Sequence, residues 1–227
     1  MPHWRQLKLA NHTESLALRE QFETPAQQKE ASSLGMWVFL VTEVMFFSGM
    51  FLAYTVYRTA FSEVFAIASN TLSILIGAVN TSVLICSSFT MVLAVHAAQI
   101  GSRKLLILFL ILTIILGGVF LGTKAYEWHD KFEEHHVPGP TFHLEGTTQQ
   151  GQAQLYFSLY FAMTGVHALH MVVGIGILLT LLIQAFAGRY TAEYNTPVDI
   201  AGLYWHFVDI VWIFLFPLLY LIGRHYH

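Results

Sequence analysis

Glu43 stands about nine residues inside a long apolar run, in Thr42-Glu43-Val44-Met45-Phe46-Phe47. At about 1.5 Å of helix rise per residue, that is on the order of 13 Å below the end of the run. An ionised carboxylate at such a depth in lipid costs at least about 2.5 kcal/mol on insertion scales. The group must therefore hold its proton, pair with a cation, or touch a watery cleft. Two roles remain open: a proton-handling group, or a carboxyl that simply hydrogen-bonds a neighbouring helix.

Other ionisable residues lie in apolar surroundings. His167 and His170 are three apart, as are His206 and Asp209, so each pair shares a helix face. With Glu43 they have the residue types of a carboxylate–histidine metal site in a helical bundle. The plainer expectation is a buried polar network in which imidazoles bridge helices and Asp209 finds a histidine partner. Proton transfer is the third option. Glu127 closes the third apolar run, and Lys124, one turn earlier, is placed to pair with it. Beyond it, His129, His135, His136 and His143 alternate with Asp130, Glu133, Glu134 and Glu145. This segment reads as a solvated acidic surface. A docking patch for a basic partner or a histidine metal site are sharper options, but the spacing matches no tight metal motif. No phosphate-cradling glycine loop and no nucleophile–base triad is present.

These residues are positioned by five apolar runs, roughly 34–57, 72–98, 105–126, 155–186 and 200–222. Crossing a hydrocarbon core takes about 20 apolar residues of helix. The chain is 55% hydrophobic and 11% charged, against about 25% charged in soluble domains. The expectation is an all-α membrane protein: a five-helix transmembrane domain over 32–227 behind a polar, partly helical or disordered tail, 1–31. The tail lacks the apolar core of a secretory signal. A net charge of -3 argues against a nucleic-acid partner. The single cysteine, Cys86, excludes a disulfide within the chain and reads as a small packed hydrophobe.

Lys and Arg set the orientation. With the N-terminus inside, inner segments hold seven (Arg5, Lys8, Arg19, Lys29, Arg103, Lys104, Arg189) and outer segments four (Arg58, Lys124, Lys131, Arg224). The positive-inside rule then predicts a cytoplasmic N-terminus, a periplasmic C-terminus and an outward loop over about 127–154.

Local signals fill in the bundle. Ser32 and Ser33 are placed to cap the first span, and Pro25 to interrupt any earlier helix. The Gly101-Ser102-Arg103-Lys104 connection forces an antiparallel hairpin. Pro138-Gly139-Pro140 ends regular structure in the outer loop. Ser73, Gly77, Asn80, Leu84, Ser87, Met91, Ala94 and Ala98 form a seam of mostly small residues, which marks a helix contact face in lipid. Gly118 and Gly122 read the same way. Tyr160, Trp205, Tyr220 and other aromatics near the span ends read as an interfacial belt.

The motifs resemble subunit III of haem–copper oxidases. Gly35-Met36-Trp37 with Thr42-Glu43-Val44-Met45-Phe46-Phe47-Ser48-Gly49 is similar to the first spanning helix shared by all forms of that family. Asn80-Thr81-Ser82-Val83-Leu84 is similar to its next helix. Thr164-Gly165-Val166-His167-Ala168-Leu169-His170 is similar to its Thr-Gly-Phe-His-Gly-Leu-His segment, and Tyr204-Trp205-His206-Phe207-Val208-Asp209-Ile210-Val211-Trp212 to its closing signature. The matches run in the family's order from about residue 33 to 223.

The resemblance implies a helical bundle packed beside subunit I, with subunits II and IV nearby, in a bacterial cytoplasmic membrane. It implies no redox cofactor and no metal in this chain, the haems and copper lying in partner subunits. It implies support of proton uptake and of the turnover lifetime of subunit I during reduction of oxygen to water. Glu43 matches the family's intramembrane glutamate. His167, His170, His206 and Asp209 match polar positions the family uses structurally. The long form has seven spans, and the first two are absent here. The family's phospholipid cleft lies partly against that missing pair, so bound phospholipid here is an expectation carried over with part of its wall gone. The short form is familiar in cytochrome c oxidases, quinol oxidases and a nitric oxide reductase accessory subunit. The sequence at Glu43 is closer to the oxidases. An autonomous membrane metalloenzyme and a transporter built around Glu43 are the competing classes.

Overall fold

The computed structural model describes residue 22 and residues 24–140, 142–192 and 194–221. Its elements are α1 (Pro25–Ala60), α2 (Ser62–Asn70), α3 (Ile74–Gln99), α4 (Arg103–Glu133), α5 (Gln150–Phe186) and α6 (Thr196–Phe216), and α6 runs on into a π-helical turn, Pro217–Leu221. Five helices are long and apolar enough to cross a bilayer, α6 counted through its π turn. Among the described residues there are only helices and turns, so the fold class is all-α.

The helix ends depart from the sequence expectation. α1 starts at Pro25, not near Ser32. Thr24 is its N-cap and accepts a hydrogen bond from the Gln27 amide at 3.2 Å. Proline suits the first helical position, where its missing N–H is no loss. Ser32, expected as a cap, instead donates back to the Gln28 carbonyl within the helix. Residues 25–31 of the tail are helical and continuous with α1, and residues 1–21 lie outside the described residues. α4 runs a full two turns past Tyr126 and α5 starts at Gln150, so the outer loop shortens to 134–149. Nothing in 127–133 breaks a helix, and Lys131 and His129 find acidic partners within one turn. The stop comes at His135, which takes φ 57°. Its amide donates to Phe132 and that of His136 to Lys131, the paired bonds of a left-handed helix end. Gly101 and Gly188 close α3 and α5 in the same way, with φ 70° and 72°.

Two elements were not expected. α2 folds within the connection between the first two spans and buries Val64, Phe65 and Ala68. The π turn begins at Pro217, which has no N–H to donate back along the helix. Side chains supply donors close by: Ser69 and Tyr156 both hydrogen-bond the Leu219 carbonyl, as backbone in lipid requires.

α6 is the central post. It packs against α3, α5 and α1, while α3 and α4 form the hairpin and α5 closes the ring against α4. Over half (56%) of the most apolar stretch of α6 is buried, against 11% for α1, so α1 is the peripheral helix. Lipid tails are as apolar as leucine, so close packing and hydrogen bonds must hold the bundle. Trp205 shows how. Its ring lies in a slot where a Cβ on Gly117 would come within 2.8 Å and one on Gly174 within 3.0 Å. Its indole N–H donates to Ser87 Oγ at 3.0 Å. Nearby, Thr90 pairs with Thr113 at 2.8 Å, Thr123 with Asn80, and the Trp212 N–H donates to Thr81.

The α3 seam is buried from Gly77 to Ala98, while Ser73 is the exposed N-cap. Gly118 and Gly122 do not pack: both face open space, and the contact glycine is Gly117, one position away. Cys86, expected to be packed, is exposed on the outer side of α3.

Candidate functional site

The ionisable residues fall into separate groups. In the first, α1 brings Glu43 to α5, where its Oε2 lies 3.1 Å from His170 Nε2. Both side chains are partly exposed, at 19% and 16%. Phe47, one turn along α1, packs on the imidazole with ring centres 5.4 Å apart. The other ring nitrogen, Nδ1, lies 2.8 Å from the Val166 carbonyl. A carbonyl only accepts, so Nδ1 carries a hydrogen. A hydrogen bond between Glu43 and His170 then needs one further hydrogen, on the carboxyl or on Nε2. Either the imidazole is neutral and the carboxyl donates, or an imidazolium donates to a carboxylate. Both states are neutral as a pair, and they differ only in the position of one proton along 3.1 Å. Chemically, the pair can hold or pass a single proton.

The second group is the Lys124–Glu127 pair, at 3.2 Å and almost fully buried. Lys124 Nζ also donates to Tyr220 at 2.8 Å and to Tyr160 at 3.3 Å. Both tyrosine hydroxyls donate onward to Glu127 Oε1, at 2.6 Å from Tyr160 and 2.5 Å from Tyr220. The ammonium further lies 4.9 Å from the Trp212 ring centre. All three N–H bonds of the lysine have acceptors, and the ring of bonds closes on itself. A closed, buried cage of this kind fixes α4, α5 and the end of α6 together. Tyr160 and Tyr220, read from sequence as interfacial aromatics, are its hydroxyl donors.

His167 is separate. It sits between Phe120 and Trp212, with ring centres 5.5 and 5.2 Å away. Neither ring nitrogen has a hydrogen-bond partner among the described residues. His170, three residues on, turns to α1 instead. His206 Nδ1 lies 2.7 Å from Ser88 Oγ on α3. Asp209 is 2% exposed; Ser88 is close enough to act on its carboxyl, but neither carboxylate oxygen has a hydrogen bond of good geometry among the described residues. Among the described residues, no three His, Cys, Asp or Glu side chains converge in a way that could hold a metal ion.

The loop between α4 and α5 is pinned as well as charged. Lys131, 5% exposed, donates to the Thr71 carbonyl at 2.9 Å and to Glu134 at 2.5 Å. His136 Nδ1 comes within 3.0 Å of Glu134, and its ring stacks on Phe157. Partial burial acts to raise the Glu134 carboxyl, but the hydrogen bond and charge of Lys131 outweigh it and hold it below its ordinary value. Burial, then the Lys131 charge, hold His136 below its ordinary value against the pull of Glu134. His129 meets Glu133 at 3.6 Å on the surface.

A family model described as cytochrome c oxidase subunit III matches residues 21–224. The chain is similar to a probable quinol oxidase subunit 3 of Staphylococcus haemolyticus, 31% identical over 205 residues, 90% of this chain and 95% of that one. It is 33% identical to the quinol oxidase subunit 3 of Bacillus subtilis over 192 residues, 84% and 86% of the two chains. It is 32% identical to a probable cytochrome c oxidase subunit 3 of Nocardia farcinica over 192 residues, 84% and 87%.

Proposed function

The chain belongs to the cytochrome c oxidase subunit III family, and on that premise we propose that it is the non-catalytic third subunit of a bacterial respiratory oxidase, of the cytochrome c type. Its five spans place it in the membrane as a multi-pass protein. In this reading the N-terminus faces the cytoplasm and the membrane is the bacterial inner one. The redox chemistry, with its haems and copper, takes place in subunit I. This chain supports proton uptake and the turnover lifetime of that subunit.

The observation that carries the reading is the Glu43–His170 contact. An acid deep in a span would be costly alone. Here it lies within hydrogen-bond distance of an imidazole, and it does so at a partly exposed face of the bundle rather than in the sealed core. A proton held at the edge of the subunit is accessible to a neighbour. Glu43→Gln removes the shared site while keeping the shape. The expected result is normal assembly with a modest fall in proton uptake or in turnover lifetime. A complex that fails to form, or one unchanged in both properties, overturns the role.

A quinol-type oxidase is the second reading, favoured by relatives named quinol oxidase subunit 3. Turnover of the purified complex with reduced cytochrome c against a quinol separates the two.

A further inference from the structure

Asp209 poses a problem that this chain does not solve. It lies on the face of α6 that meets α3, and both carboxylate oxygens are buried and unpartnered among the described residues. A buried polar group without a partner costs free energy in either protonation state. The nearby hydroxyl, Ser88, is close enough to act on the carboxyl, but its Oγ makes its well-formed contact with His206 Nδ1, at 2.7 Å. The carboxylate lines a cavity of about 270 Å³ between α3 and α6, together with Leu84 and Ser88. That is smaller than the roughly 300–1,000 Å³ of ordinary ligand pockets, but it admits a side chain. Its rim is apolar and open to the outside of the bundle: Ile85, Phe89, Ile210 and Ile213 are each 44–63% exposed.

Depth decides what fills it. Asp209 is about 20 Å along the helix from Thr196 and about 18 Å from Leu221, so it lies near the bilayer midplane. With a hydrocarbon core about 30 Å thick, headgroups are about 15 Å away. An acyl chain reaches the site but offers no donor. A second copy of this chain meeting the same face would set Asp209 against Asp209, which repels unless at least one of the two carries a proton. A donor at this depth comes most simply from another membrane-spanning polypeptide.

We propose that the α3–α6 face around Asp209 is a docking surface for a transmembrane helix of a companion subunit, which inserts a hydroxyl, amide or indole donor against this carboxylate. The apolar rim seats the helix, and the carboxylate fixes its register. The inference rests on the reading of the chain as an oxidase subunit.

The test places a photoreactive benzophenone amino acid at Ile213, at the cavity rim, in membranes containing the whole oxidase. Ile115, exposed on α4, is the control position. The expected result is an adduct with a companion polypeptide, severalfold stronger from Ile213 than from Ile115. Asp209→Leu should weaken that adduct severalfold, while Asp209→Asn, which keeps a carbonyl acceptor, should retain it. If Asp209→Leu prevents accumulation of the chain, the result with the native Asp209 decides. Adducts with lipid alone, adducts with a second copy of this chain, or an Ile213 adduct indifferent to Asp209→Leu each overturn the proposal. Haem spectra of the same purified material separate the two levels. Haem that co-purifies while Ile213 meets only lipid sinks the docking face alone, whereas a chain that purifies without haem sinks the subunit reading and this inference with it.

Discussion

Glu43 and His170, 127 residues apart in sequence, meet at 3.1 Å. The Val166 carbonyl fixes the tautomer by accepting from the other imidazole nitrogen. Each partner removes the need for the other to be charged alone in lipid.

The first prediction concerns that coupling. Glu43→Gln and His170→Gln each disturb the same shared hydrogen bond, at a cost of about 1–3 kcal/mol. Their effects on thermal stability of the detergent-solubilised complex should be non-additive, with a coupling energy of about 1 kcal/mol or more. Simple additivity in a double-mutant cycle would show that the two groups act independently.

The Trp205 slot gives a sharper contrast. Gly117→Ala places a Cβ 2.8 Å from the indole. Overpacking of this kind costs about 1–3 kcal/mol. Gly118→Ala, one residue on, meets nothing within 4 Å and should be neutral or slightly stabilising. Thermal unfolding of the two variants side by side checks this, and equal behaviour would contradict the packing described.

Lys124 holds a closed cage. Lys124→Met removes one partner from a buried ion pair and should cost about 3–5 kcal/mol. Lys124→Met combined with Glu127→Leu should cost less than the two single changes summed, because no unpaired charge remains. A sum equal to or larger than the singles would mean that the cage is not a unit. Turnover per assembled complex should be unaffected, since the cage is placed here in structure and not in proton handling.

Acid should loosen the loop between α4 and α5. His136 is held below its ordinary value of 6.5 in the fold. As pH falls below 6.5 the unfolded loop takes up a proton before the folded one does, so local stability drops. Glu134 is also held below its ordinary value, 4.5. The stability it contributes is present above 4.5 and is lost as pH falls through the folded value. The two effects have the same sign. Hydrogen exchange at 134–149 should become less protected from pH 7 towards pH 4, and His136→Phe should remove the upper part of that change. Constant protection across the range would refute it.

The spans were legible because they are long and apolar, and the α3 seam because its period is helical. The Lys124–Glu127 pair was legible because i and i+3 share a face. What the sequence hid was mostly a matter of phase and distance. Gly117 and Gly118 differ by one residue, about 100° of rotation, and only the packed bundle shows which one meets Trp205. Tyr160 and Tyr220 look like any aromatic near a span end. That they donate to Glu127 depends on three helices meeting. His167 and His170 share a broad face, yet one points into the core and the other to α1. Ser32 looked like a cap because the Thr24–Pro25 start was read as an interruption, although proline opens a helix as readily as it breaks one.

The most direct test is to strip this subunit from the purified oxidase and follow both fractions. The account predicts that haem spectra and initial oxygen reduction stay with the remaining complex, which then inactivates sooner during turnover. The separated chain should carry no haem and reduce no oxygen. Redox activity that travels with the separated chain, or a depleted complex that lasts as long as the intact one, would contradict it.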